Sequence, residues 1–191
     1  MLEASPFAPR PLLLPLLALY AVSFGTALAL NGASGDLFQA AENGPIEWMQ
    51  IVVLAACAVT ATLASARGRD EVAAVAWGLA CVAIVALVRE LPSCGGYDET
   101  AVCVPRPAKR VVTAIAVVVA IAGLVRFRSL WRTLARPAFW WPALPLAVAF
   151  VVGEWCERRG AQFAEEAVEL AGLCLVLAMS IRLWNGARAR C

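Results

Sequence analysis

The 191-residue sequence contains no histidine, and this removes a large part of the usual catalytic repertoire. Zinc sites and most di-iron designs draw on imidazole, so the chain gives no zinc or haem signal. Charge is also scarce, at 16% of residues against 62% hydrophobic, far from the balance of a soluble domain. No P-loop, dinucleotide-binding glycine pattern, nucleophile elbow or zinc motif is present, so no nucleotide signal exists either. There is no convincing internal repeat, which leaves an inverted-repeat transporter without direct support. The apolar runs do not alternate with a two-residue period, which excludes membrane strands. What remains is a polytopic helical membrane protein, read as one domain over residues 1–191.

A spanning helix needs about 20 mainly apolar residues. Six stretches qualify: Pro11–Leu30, Glu47–Ala66, Glu71–Arg89, Arg110–Val125, Ala138–Glu154 and Glu165–Leu183. The expected fold is therefore an all-α bundle of six transmembrane helices. Pro142 and Pro145 should bend the fifth span or delay its start. Between the fourth and fifth spans, Arg126 to Arg136 interleaves basic and apolar residues at helical spacing. This stretch reads as an amphipathic segment lying in the membrane interface.

Lys and Arg set the orientation. One side carries Arg10, Arg67, Arg69, Arg126, Arg128, Arg132, Arg136, Arg182, Arg188 and Arg190. The other carries only Arg89, Arg106, Lys109, Arg110, Arg158 and Arg159. This puts both termini in the cytoplasm. Membrane lipids are the expected partners, with anionic head groups at the basic cytoplasmic face. No nucleic-acid module is recognisable. The first span resembles a signal peptide around Ala27-Leu28-Ala29, but its apolar run exceeds the usual signal core and should be retained.

The acids fall on the opposite side. Glu42, Glu47, Glu90, Glu154, Glu157, Glu165, Glu166 and Glu169 all lie at span ends facing the periplasm, and Asp98 and Glu99 lie in the loop between them. Carboxylates beside hydrocarbon are costly unless paired, hydrated or metal-bound, so helix-end glutamates mark a candidate site. Glu157, Asp98 and Glu99 read as solvated loop charges. Asn43-Gly44-Pro45 signals a turn, with Pro45 opening a helix whose first turn places Glu47 at the favourable end of the dipole. In the last span, Glu169 shares a flank with both Glu165 and Glu166 and lies about 6 Å deeper than Glu165, so it should reach furthest into the bundle. Such closely spaced like charges cannot all ionise cheaply. Arg89 is the expected counter-charge, although on an ideal helix it points about 100° away from its neighbour Glu90. Cys94 and Cys103 share one short loop on the same side and are the disulfide candidates, with Cys156 as a competing partner. Cys57, Cys81 and Cys174 read as small packing residues.

Glu42-Asn43-Gly44-Pro45-Ile46-Glu47-Trp48, Arg89-Glu90-Leu91 and Glu165-Glu166-Ala167-Val168-Glu169-Leu170-Ala171-Gly172 resemble three signatures of a group of small bacterial inner-membrane proteins. In that group they are written E-D-G-x-x-E-W, R-E-L-D and E-E-x-x-E-L-x-G. The likeness covers the chain in order and length. Asn43 stands in place of the first motif's Asp, and Pro92 in place of the second motif's. The resemblance implies that these glutamates act as one unit and implies no particular reaction. Membrane hydrolases of the alkaline-ceramidase and adiponectin-receptor type are also small helical bundles, but their histidine-bound zinc has no counterpart here.

The carboxylates leave three functions open. An oxygen-only cluster suits a divalent cation such as Ca²⁺, Mg²⁺ or Mn²⁺, or the polar head group of a ligand. A glutamate pair working as acid and base would suit an enzyme acting on a lipid or lipid-linked sugar. A cluster cancelled by Arg89, Arg158 and Arg159 would instead suit a non-catalytic scaffold or assembly subunit.

Overall fold

A computed structural model of the chain describes residues 45–94, 103–127, 131, 143–159 and 162–188, with a few positions between 17 and 25. Most of the first expected span, the loop carrying Glu42 and nearly all of the expected amphipathic segment lie outside the described residues. Among the described residues about 91% are helical and strands are absent, so the all-α class holds.

Five helices are described: α1 (Pro45–Arg67), α2 (Asp70–Glu90), α3 (Arg106–Arg126), α4 (Ala143–Arg158) and α5 (Gln162–Arg188). Three segments, Pro45–Arg67, Glu71–Glu90 and Phe163–Arg188, are long and apolar enough to cross a membrane. At 1.5 Å per residue each reaches at least about 30 Å, the thickness of the hydrocarbon core. α3 begins four residues before the expected Arg110, so its first turns carry Arg106, Lys109 and Arg110 beside a shorter apolar run. α4 starts at Ala143, after Pro142, and extends through Arg158.

α1 and α2 form a tight hairpin because Gly68 occupies a spot too crowded for a side chain. A Cβ there would lie 2.6 Å from the Ala64 carbonyl oxygen and 3.0 Å from the Ala73 nitrogen. The Gly68 N–H closes α1 by donating to Ala64 O at 2.7 Å. Ala61, Ala64, Ala73, Ala74, Ala76 and Ala80 are buried, and their small side chains allow close helix approach. α5 is central, packing against α1, α4 and α2, while α3 packs against α2. Leu170 and Cys174 of α5 meet Val53, Leu54 and Cys57 of α1 in the main core, and Tyr20 packs against this cluster. A second cluster at the opposite end joins Ala64, Val72, Val75 and Leu183. Val111, Ile115, Val118 and Val125 of α3 and Val148 and Val151 of α4 are exposed, an apolar surface suited to lipid.

The chain alternates direction, so the start of α1, the end of α2 and the start of α5 share one end of the bundle. That end holds the glutamates. Arg67, Arg126, Arg182 and Arg188 belong to the other, where the Arg67 guanidinium lies 4.6 Å and that of Arg188 5.6 Å from the Trp184 ring centroid.

A groove at the glutamate end of the bundle

Gln50 ties α1 to α5. It is 1% exposed, lies one turn after Glu47, and its amide nitrogen donates to Glu166 Oε2 at 2.6 Å and to the Glu166 carbonyl at 3.2 Å. Glu166 also feels the charges of Glu169, Glu47 and Glu165, so four of the expected site residues form one electrostatic unit. Glu47 sits in the first turn of α1, as its sequence position implied. A single amide three residues after Glu47 in an otherwise apolar stretch was the signal for Gln50.

Arg89 and Glu90 form the second part of the site. Arg89 Nε donates to Glu90 Oε1 at 2.8 Å, and a second guanidinium nitrogen lies 2.8 Å from the same oxygen. The ideal 100° separation of consecutive residues is overcome by the reach of the arginine side chain. Arg89 is 67% exposed and Glu90 15%, and the charge of Glu169 also acts on Arg89. Lys109, from the first turn of α3, donates its ammonium to the carbonyls of Leu91 and Arg89. A cation there complements the negative end of the α2 dipole.

The other two arginines proposed to cancel the cluster are engaged elsewhere. Arg158 bonds to Glu154 at 2.8 Å, and Arg159 stacks 4.7 Å from the Trp155 ring centroid. Cys94 is joined to Cys103, whereas Cys156 is a buried free thiol. Ser93 and Val104 form an isolated bridge beside the disulfide, with the Val104 N–H donating to Pro92 O at 2.8 Å. Glu42 lies outside the described residues.

A cavity of about 430 Å³ leads away from this charged end. Glu169, Arg89 and Glu90 line it, and Leu54, Gly78, Cys81, Val82, Val85, Ala86, Ala116, Val117, Ala120 and Leu173 make up its apolar walls. From Glu90 to Trp77 the α2 wall covers 14 residues, about 20 Å of helix axis. Trp77 marks the inner end, where its indole N–H donates to the Val119 carbonyl at 3.3 Å and its ring lies against Gly123. Val82 and Val117, on the facing walls, are 61% and 47% exposed, so the cavity is a groove open to the surroundings between α2 and α3. At Gly78 an added Cβ would meet nothing within 4 Å. Glu169 is backed by Gly153 of α4, where an added Cβ would lie 3.5 Å from Glu169 Cγ.

No family model, curated protein or solved structure matches the chain. The site therefore rests on its own geometry. Among the described residues, no group of three or more His, Cys, Asp or Glu side chains is arranged to hold a metal ion. Glu166 is directed to Gln50 and Glu90 to Arg89, which spreads the carboxylates along the bundle end. Trp77 escaped the sequence reading because its meaning depends on α3, although a tryptophan at mid-helix, away from an interfacial belt, was its trace.

Proposed function

We propose that this chain is a multi-pass inner-membrane protein that binds an amphiphile in the α2–α3–α5 groove, with its polar head at Arg89, Glu90 and Glu169. The observation that carries this reading is the groove itself, whose apolar walls run about 20 Å from an ion pair to a tryptophan floor. That length is over half the roughly 30 Å hydrocarbon core, which suits one acyl or isoprenoid chain entering from a single leaflet. Its volume falls in the range of about 300–1,000 Å³ typical of small-molecule sites. The open side between Val82 and Val117 supplies a lateral entry from lipid.

In this reading the six spans place the glutamate end at the periplasmic leaflet and the arginine end in the cytoplasm, as the distribution of basic residues favours. Arg67 and Arg188 beside Trp184 then meet anionic head groups of the inner leaflet. A head-group site is preferred to a divalent-cation site because the described carboxylates do not converge as metal ligands. It is preferred to a scaffold role because the groove is open between Val82 and Val117.

The test uses the protein in micelles titrated with a phospholipid brominated on its acyl chains, which quenches nearby tryptophan. The signal of Trp77 is taken as the difference between wild type and Trp77→Phe. Saturable quenching of that signal is expected, and Gly78→Phe, which fills open space in the groove, should abolish it without lowering the melting temperature. Unchanged Trp77 quenching in a folded Gly78→Phe variant would overturn the reading.

A further inference from the structure

Resting on the reading that the arginine end of the bundle meets lipid head groups, we infer that Arg67, Arg188 and Trp184 form a second site, separate from the groove. It takes the phosphate of a phospholipid of net negative charge. The site is built from two helix ends, since Arg67 closes α1 and Arg188 closes α5. Trp184, one turn before Arg188, is half-buried against the cluster of Ala64 and Leu183. The Arg67 and Arg188 guanidinium carbons lie 4.6 and 5.6 Å from the centroid of its ring, so they are no more than about 10 Å apart.

Helix dipoles favour a cation at each of these C-termini, but they do not bring two cations to one ring. Contact with an indole face uses the charge of a guanidinium and none of its five N–H groups. Among the described residues, neither Arg67 nor Arg188 donates to a carboxylate or carbonyl of the protein. Both are exposed, so their donors are open to a ligand. A phosphate matches them, because its oxygens accept paired N–H bonds from the planar fork of an arginine.

The surroundings select a lipid and its charge. Leu63 and Val59 lie one and two turns before Arg67 on the same flank of α1 and are 40% and 59% exposed, a track for an acyl chain below the phosphate. Arg69 and Arg126 add positive charge at this end, where Asp70 and Glu71 oppose it, so the balance with Arg67 and Arg188 is positive. A zwitterionic head brings an ammonium that this balance repels, whereas a head with only its phosphate charge does not.

The experiment follows Trp184, as the difference between wild type and Trp184→Phe, in micelles titrated with phospholipids carrying identical brominated acyl chains. Phosphatidylglycerol should half-saturate quenching at a mole fraction about tenfold lower than phosphatidylethanolamine or phosphatidylcholine, equivalent to about 1.4 kcal/mol. Arg67→Gln combined with Arg188→Gln should abolish this preference at an unchanged melting temperature. Arg67→Lys combined with Arg188→Lys should remove most of it, because lysine keeps the charge and loses the fork. A full preference in the lysine pair would reduce the site to general surface charge and overturn it. Inorganic phosphate should not displace phosphatidylglycerol relative to chloride at equal ionic strength; displacement would assign the site to a soluble phosphate compound and overturn the lipid as its source. Equal half-saturation by the three lipids overturns the site and leaves the membrane contact standing, and absence of any Trp184 quenching overturns both. The groove reports separately through Trp77, so either reading can fail alone.

Discussion

At the scale of single residues, the glutamate end depends on a side chain that carries no charge. Gln50 gives Glu166 its two interhelical hydrogen bonds while the neighbouring carboxylates repel it. A hydrogen bond to a charged group contributes about 1.5–3 kcal/mol. Gln50→Leu, similar in size, should therefore lower unfolding stability in detergent by about that amount. Glu166→Gln keeps an oxygen facing Gln50 and removes the repulsion, so it should melt at or above wild type. A Glu166→Gln variant less stable than Gln50→Leu would show that the negative charge itself holds α1 to α5. Two glycines give a matching contrast. Gly78→Ala enters open space in a helix interior and should stabilise by about 0.5–1 kcal/mol. Gly123→Ala drives a methyl into the Trp77 indole and should cost about 1–3 kcal/mol by overpacking. Thermal melts of the two variants should move in opposite directions, and equal shifts would remove Trp77 as the wedge at the groove floor. The glutamates were legible because charges at the ends of apolar runs stand out one residue at a time. Gln50, Gly78 and Trp77 were not, because their roles exist only between helices.

At the scale of elements, α1, α2 and α5 follow from their apolar runs to within a few residues, and the short Gly68–Arg69 connection follows from the break between them. α3 was harder to place. The expected span begins at Arg110, where the apolar run starts, whereas the helix begins at Arg106 with a basic first turn that the helix dipole disfavours. The compensation lies in the preceding helix, because Lys109 donates to the carbonyls at the end of α2. Cys94–Cys103 holds the two elements together through a separation of 9 residues. On the loop-entropy account, closing a loop of that size contributes about 2.5–3 kcal/mol. Reduction, or the Cys94→Ser and Cys103→Ser double variant, should lower stability by a similar amount and should loosen the groove mouth by releasing Lys109 from α2. Lipid titration of Trp77 under reducing conditions should then show weaker binding with the floor still quenchable. Equal melting with and without reductant would mean that the bridge and the Pro92–Val104 hydrogen bond fix the loop unaided.

At the scale of the whole molecule, a small overall charge of +2 hides a polarised distribution. Carboxylates gather where α1 and α5 begin and α2 ends, and arginines gather where α1 and α3 end and around Trp184 of α5. This polarity was legible from the sequence because it needs only the order of apolar and charged stretches, whereas the groove needs the packing of three helices. On the proposed function, this polarity decides which leaflet would feed the groove, since Arg89, Glu90 and Glu169 lie at its glutamate end. Short basic loops remain cytoplasmic, so the arginine end should face inward and the groove should open to the outer leaflet. A periplasm-dependent phosphatase fused at the C-terminus should be inactive, and the same enzyme inserted between Cys94 and Cys103 should be active. A fluorescent protein that folds only in the cytoplasm should report the reverse at the same two positions. If both reporters give the opposite pattern, the groove draws on the inner leaflet instead, and its head-group preference must be sought among the lipids of that face.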